Sequence, residues 1–244
     1  MALLHVLSRW APRLGFEVLA HGVDHGLRPE ARSELDVAAD FARQSGVSFT
    51  RSVVSVSQGG NLQARARRAR YAALREAARH QRAGLIATAH HADDRAETVL
   101  LRLLRGTSLR GLAVLPPRSG DLIRPFVRAR KADVMAHIAR HHLPAAADPS
   151  NENPRFVRVR VRQQLLPLLI ELSPQIVDNL NALADDAAEA LPAVLDEAGQ
   201  PVFLNRAQRR ELRRARHVGA RERIFHLPGG RVLRVNPATG RARS

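Results

Sequence analysis

The sequence contains no cysteine, which excludes disulfides, thiolate zinc sites and cysteine nucleophiles. It also has no apolar run near the ~18 residues that a membrane helix requires. The amino-terminal "MALLHVLSRW" is interrupted by His5 and Arg9, so neither a membrane span nor a signal peptide is expected. Without an export signal the cytoplasm is the default compartment, and no membrane partner is expected. No glycine-rich loop follows any strand-like run, which argues against a dinucleotide-binding protein. Lysine is nearly absent as well, with Lys131 the only one. All other basic residues are arginines, and 39 basic against 23 acidic side chains leave a formal net charge of +16 over 244 residues. That excess favours a polyanionic partner, most simply nucleic acid. The choice of arginine over lysine also suits a GC-rich genome.

Short apolar runs alternate with longer stretches of helical periodicity. Helices are expected over 2–13, about 29–45, about 61–82, about 92–105, 129–141 and 163–190, the last closed by Pro192. Strands are expected at "FEVLAHGV" (16–23), "VSFTRSVV" (47–54), "GLIATA" (84–89) and "DLIRP" (121–125). Such alternation implies parallel pairing through right-handed crossovers, hence an α/β sheet. Two strand-like runs around Pro228-Gly229-Gly230 signal a hairpin in a small appended module. An α/β domain of this kind normally opens on a strand whose carboxyl-end loop carries the ligand, whereas this chain opens inside a helix.

In open α/β sheets, ligands lie beyond the carboxyl ends of the strands, which is where "TAHHADDRAET" (88–98) falls. His90, Asp93, Asp94 and Glu97 share one helix face, and Leu101 and Leu104 continue it inward. Carboxylates beside a histidine suit a hard cation such as Mg²⁺ that itself carries phosphates. The alternative is helix capping, since aspartates at a helix N-terminus satisfy its free N–H groups. In "NLQARARRARYAALREAARHQR" (61–82), Arg65, Arg68, Arg75, Arg79 and Arg82 share a side expected to be solvated or RNA-facing. Arg67 and Arg70 fall with Tyr71, Leu74 and Ala78 on the apolar side. Arginines there need an anionic partner, either a phosphate or a core carboxylate. In "VDHGLR" (23–28), Asp24 and His25 follow a strand and either touch a nucleotide or shape the turn. Arg155, Arg158, Arg160 and Arg162 crowd into eight residues. Alternation with valine suggests a strand, while 155, 158 and 162 would share a helix face; an anion clamp and a solvated basic surface both remain open.

Taken in order, "VDHGLR", "ARRARY" (66–71), "TAHHADDRAET", "LRGTSLRGL" (104–112), "LIRP" (122–125) and "DPSN...RVRVRQQLLPLL" (148–169) resemble the tRNA(Ile)-lysidine synthases of the PP-loop ATP-pyrophosphatase superfamily. The resemblance covers residues 1 to about 170. It implies a parallel-sheet PP-loop nucleotide-binding catalytic domain over 1–170, a helical linker over 171–195 and a small module with a β-hairpin over 196–244. It also implies a ligase forming a C–N bond: ATP adenylates carbon 2 of the wobble cytidine in a CAU anticodon, and the amine of free L-lysine displaces AMP. By the same resemblance, Asp93, Asp94, His90 and Arg158 are candidates for catalysis, with Asp93 and Asp94 holding Mg²⁺. Asp24, His25, Arg67, Arg70 and Glu97 are candidates for ATP, and Arg155, Arg160 and Arg162 for tRNA. A homodimer is the implied assembly. His90 suits acid/base work because an ordinary imidazole titrates near neutrality.

Three departures stand out. The family's SGG-x-DS phosphate cradle is absent, and "MALLHVL" matches the helix that follows it. Arg95 stands where an amide is usual, and Val159 where an asparagine is usual. Loss of the cradle and its strand would remove N–H groups that hold pyrophosphate and expose backbone groups of the neighbouring strands. The expectation is therefore a chain that, as written, is inactive or nearly so. A catalytically dead fragment that still binds tRNA is the alternative. A PP-loop tRNA thiolase is the nearest enzymatic rival, and the lack of cysteine opposes it.

Overall fold

The first helix, α1 (Ala2–Leu14), ends at Gly15, whose φ of 68° places it in the left-handed region that only glycine adopts freely, with its N–H on the Ala11 carbonyl. In this computed structural model, residues 1–24, 26, 31–55, 62–144, 156–189, 194–195, 201–202, 208, 211–212, 214–215, 222–226, 232–236, 239 and 242–243 are described. The chain forms two compact units, Met1–Asp186 and Ala187–Ser244.

In the first unit, β1 (Leu19–Asp24) leads through α2 (Ala31–Gln44) to β2 (Ser48–Val53), which pairs with β1 in parallel from Leu19↔Ser48 to Asp24↔Val53. Helix α3 (Leu62–His80) then packs against β1 and against β3 (Ile86–Ala87). After α4 (Ala92–Leu104) and a 3-10 turn, β4 (Arg118–Ser119) and β5 (Leu122–Ile123) follow. β5 lies parallel to β3 and antiparallel to β4. The expected α/β architecture is present, carried by two short ladders; among the described residues no ladder joins β1 to β3. Tyr71, Leu74 and Ala78 of α3 pack on Ile86 and Leu122, so the apolar side of this helix faces the second ladder as its spacing predicts.

Helix α5 (Lys131–Arg140) lies against α1, where Ala2, Phe41 and Leu143 form a core with Leu4, Val134 and Ile138. The arginine-rich stretch resolves as helix rather than strand. It runs as α6 (Val157–Arg160), a π-helical turn (Val161–Leu165) and α7 (Leu166–Leu172). The single helix expected over 163–190 is broken after Leu172, and α8 (Ile176–Glu189) follows. Residues 171–186, expected as a linker, belong to the first unit: Asn181 of α8 donates to the Ala92 carbonyl at 3.0 Å. The face of α4 that was to turn inward does so at Leu101, but Leu104 is exposed.

Arg95, noted above as a departure from the expected amide, is 1% exposed. Its Nε donates to the Val114 carbonyl at 3.0 Å, and a terminal nitrogen to Asp185 at 2.7 Å. Arg128 holds the other oxygen of Asp185 at 2.8 Å. Burial alone would raise the Asp185 pKa, but hydrogen bonds and charge from Arg95 and Arg128 outweigh it and hold the carboxyl below its ordinary value. Arg75 stays exposed, as its side of α3 was expected to be, and forks onto Asp121 at 2.7 and 3.3 Å.

In the second unit, β6 (Val194–Leu195) and β7 (Pro201–Val202) pair antiparallel. β8 (Arg223–His226), β9 (Val232–Val235) and β10 (Ala242–Arg243) form an antiparallel meander. Phe225, Leu233, Val235 and Ala242 make its core with Leu212. The Pro228-Gly229-Gly230 turn and Pro192 lie outside the described residues. No helix among the described residues is long and apolar enough to cross a membrane.

Two substitutions test this packing. A Cβ on Gly22 of β1 would overlap Leu35 Cδ2 of α2 and stand 3.0 Å from Phe49 Cζ. Gly22→Ala is expected to lower stability by about 1–3 kcal/mol in urea titrations. Asp185→Ala leaves the Arg95 charge buried without its partner and is expected to cost about 3–5 kcal/mol. Because the folded Asp185 pKa is depressed, its stabilisation is present above the unfolded value of about 3.9 and fades as pH falls below it. The gap between wild type and Asp185→Ala should therefore narrow in acid denaturation series.

Candidate functional site

Beyond β3, Thr88 leads into His90 and His91, and His91 caps α4. The Asp94 N–H donates to His91 Nδ1 at 3.2 Å, and the His91 N–H donates back to Asp94 Oδ2 at 3.1 Å. This reciprocal arrangement is a capping box with histidine in the place of the usual serine or threonine. Asp93 Oδ2 accepts from the Lys131 N–H at 2.6 Å, at the start of α5, with Arg130 Nε 3.7 Å away. The paired aspartates thus do cap helices, one at α4 and one at α5. Capping uses only part of them.

One turn further along α4, Glu97 is 2% exposed and held from α6 and its π-helical continuation. Arg162 forks onto it with Nε at 2.6 Å and a terminal nitrogen at 3.0 Å, and that same nitrogen lies 3.2 Å from Asp94 Oδ1. Arg158 Nε lies 3.3 Å from the second Glu97 oxygen, and its terminal nitrogen 3.9 Å from Asp94. The hydrogen bond to Glu97 raises the Arg162 pKa, burial opposes it, and the charges of Glu97, Asp94 and Asp93 reinforce it. Spacing of four along a helix puts 158 and 162 on one face. The widened turn beginning at Val161 is a feature common at functional sites. Arg160 points elsewhere, with Nε 3.3 Å from Gln164 and its side chain exposed. Arg155 lies outside the described residues.

A second set of arginines meets no carboxylate among the described residues. Arg67 and Arg70 flank the Tyr71 ring at 5.0 and 5.6 Å, and Arg67 also donates to the Tyr71 hydroxyl at 3.3 Å. Arg124, just past β5, is 6% exposed; it donates to the Pro116 carbonyl at 2.7 Å and leaves Nε without a partner. Burial lowers the Arg124 pKa; Tyr71 opposes that shift and Arg67 adds to it. All three guanidiniums act on His90, whose Nδ1 lies 3.0 Å from the Thr88 hydroxyl. Burial first, with Arg67, Arg124 and Arg70 outweighing the opposing pull of Asp94, lowers the His90 pKa to about 4. The imidazole is therefore neutral at physiological pH. That corrects the expectation of a near-neutral titration: His90 has no proton to give at pH 7 and is a weak base.

Asp24, at the end of β1, is buried and accepts from the Gly26 N–H at 2.8 Å, closing an Asx turn at a residue with φ of 62°. Arg32 Nε stands 3.9 Å from its other oxygen. Shaping the turn is the role visible for Asp24; His25 lies outside the described residues. Arg124, Thr88 and Lys131 were not singled out from sequence. The signal for Arg124 was present in "LIRP", an arginine directly after a strand.

The acidic groups at 93–97 do not converge into a nest of three ligand atoms. Arg158 and Arg162 already engage Asp94 and Glu97. The hard oxygen donors fit Mg²⁺ only if the cation arrives with other oxygens, as it does on nucleotide phosphates, leaving Asp93 and Asp94 to complete its shell.

Residues 1–169 match the PP-loop domain family. Among curated relatives, the tRNA(Ile)-lysidine synthase of Salinispora tropica is 37% identical, over 96% of this chain and 84% of its own. Those of Novosphingobium aromaticivorans and Thermobifida fusca are 36% and 38% identical over 78% and 83% of this chain. The chain spans 62% and 64% of the length of those two. Among solved structures, the U34-tRNA thiolase NcsA of Methanococcus maripaludis with its 4Fe-4S cluster superposes with a TM-score of 0.64, over 78% of this chain and 69% of its own. At 16% identity that likeness establishes a common fold alone. A PP-loop match over most of the chain, a capped His-Asp-Asp turn beyond a parallel strand and this run of relatives place the chain in the PP-loop domain family, with the tRNA(Ile)-lysidine synthases.

Proposed function

We propose that this protein acts in lysidine synthesis, joining L-lysine through ATP to carbon 2 of the wobble cytidine of a tRNA(Ile) with a CAU anticodon. The observation that carries this reading is the set Arg67, Arg70 and Arg124. These are three guanidiniums without a carboxylate partner among the described residues, gathered about Tyr71 and His90. Unbalanced cations in a half-buried site suit a polyphosphate.

In this reading Arg67 and Arg70, with Arg124, bind the phosphates of ATP, and Asp24, His25 and Glu97 border the nucleotide. Charge gathers on phosphate oxygens as the cytidine attacks the α-phosphorus and pyrophosphate leaves, and fixed guanidiniums stabilise it without reorganising. Asp93 and Asp94 hold Mg²⁺, which when bound supplies further positive charge to those oxygens. His90, kept neutral, positions a substrate group through its ring nitrogen. Arg158 steadies Asp94 and Glu97 beside the reacting centre. Contacts to the tRNA, whose wobble base must be splayed out to react, are assigned to Arg160 and, by the family resemblance, to Arg155 and Arg162, the last also anchored on Glu97 and Asp94. The setting is cytoplasmic, and the chain works as a homodimer.

The test is ATP-dependent incorporation of radiolabelled lysine into a CAU tRNA(Ile) transcript by the purified chain. Incorporation into that tRNA and not into a tRNA(Met) transcript supports the reading. Salt-sensitive tRNA binding with neither pyrophosphate release nor incorporation would favour the non-catalytic alternative. The relatives' shared name weighs against that alternative.

Two further outcomes are expected. Arg160 is exposed and bonded only to Gln164, so Arg160→Ala should weaken tRNA binding across sequences and reduce the salt slope by about one. In an NMR titration the His90 ring should stay neutral from pH 8 to pH 5 and titrate near pH 4. Pyrophosphate should move that titration upward by offsetting the arginines.

A further inference from the structure

Toward the opposite end of α5 from the Asp93 contact, His5 of α1 meets His137 of α5 and His141, the residue that caps it. His5 Nδ1 and His137 Nε2 are 2.9 Å apart. The three rings lie with centroids 5.0, 4.7 and 4.5 Å from one another, and one nitrogen of each falls within 4.8 Å of the other two. Among the described residues this is the one such gathering of three potential metal ligands. His137 and His141 are separated by four positions, so they share a helix face, the spacing by which a helix presents two imidazoles to one cation. His5 supplies a third from a different helix, and His141 is exposed enough to give an ion entry.

We propose that His5, His137 and His141 form a binding site for a borderline transition-metal cation such as Zn²⁺ that clamps α1 to α5.

Three imidazoles with no thiolate and no carboxylate suit Zn²⁺, Cu²⁺ or Ni²⁺ and discriminate against Mg²⁺ and Ca²⁺, which prefer oxygen. Zinc–nitrogen bonds of about 2.0–2.1 Å place tetrahedral ligand atoms about 3.4 Å apart. The three nitrogens already lie within 4.8 Å of one another, so a contraction of little more than ~1 Å would bring them to that spacing, with water in the fourth position. His5 and His137 are each held below the ordinary imidazole pKa, by burial first and then by neighbouring histidines and an arginine, Arg9 for His5 and Arg140 for His137. Those arginines disfavour a cation, yet they also favour the unprotonated ring that ligates.

The site is distinct from the nucleotide side. Six to ten residues of helix, roughly 9–15 Å, separate His137 and His141 from Lys131, whose N–H holds Asp93. A metal here would fix the far end of the helix that seats Asp93, and it rests on none of the residues proposed to bind ATP.

The experiment uses untagged, chelator-stripped protein, with Zn²⁺ titrated by calorimetry and Co²⁺ by visible absorption. One saturable equivalent per chain, imidazole-type Co²⁺ bands and a rise in melting midpoint of roughly 5 °C at a hundredfold excess over Kd are expected. His137→Gln and His141→Gln, each confirmed as folded by circular dichroism, should weaken binding at least tenfold, and His226→Gln should not. Absence of saturable binding would overturn the proposal. So would affinity unchanged in both cluster variants.

Discussion

The fork of Arg162 on Glu97 is the contact from which the rest of the site is organised. Glu97 is almost wholly buried in α4, and a buried carboxylate without a partner is among the most destabilising features a core can carry. Both its oxygens are met from one helical stretch, by Arg162 at 2.6 and 3.0 Å and by Arg158 at 3.3 Å. The same guanidiniums reach Asp94, which also closes the capping box of α4 with His91. Seating that stretch on α4 therefore fixes the start of α4, and with it the turn that carries His90. Asp93 extends the chain of constraint to α5 through the Lys131 N–H. Four elements are located by one short acidic segment.

Much of this was legible in the sequence. Spacing placed His90, Asp93, Asp94 and Glu97 on one face and Arg67, Arg70 and Tyr71 on another, because helical periodicity is a local property. The α/β order was legible for the same reason. Partners distant in the chain were not. Arg95 looked like a site residue with the wrong identity, and it belongs instead to a buried network with Asp185, ninety positions away. Whether 155–162 formed a strand or a helix was undecidable while valines and arginines alternated, and the carboxylates that settle it sit on α4. Leu104 continued an apolar stripe on the wheel, yet it lies at the end of α4, past the packed region, and stays exposed. His5, 132 positions from His137, gave no local signal at all.

The site separates its arginines by whether their charge is already answered. Arg158 and Arg162 are answered by Glu97 and Asp94, and Arg95 by Asp185. Removing Glu97 or Asp185 takes from these arginines their nearest carboxylate, so those two act first as structure. Arg67, Arg70 and Arg124 are answered by a tyrosine ring, its hydroxyl and a main-chain carbonyl, none of which carries a formal charge. Their mutual repulsion is a standing cost that an anion would remove. The neutral state of His90 records that cost, since its proton is excluded partly by those same cations.

An anion beside Tyr71 would lower the local positive potential and raise the His90 pKa, while burial, the largest cause of its depression, would remain. The carboxylates of α4 cannot substitute for the anion, because Arg158 and Arg162 hold Asp94 and Glu97 in place. The arginines of α6 and its continuation are thus already paired with α4, whereas those of α3 and Arg124 just past β5 meet no carboxylate among the described residues.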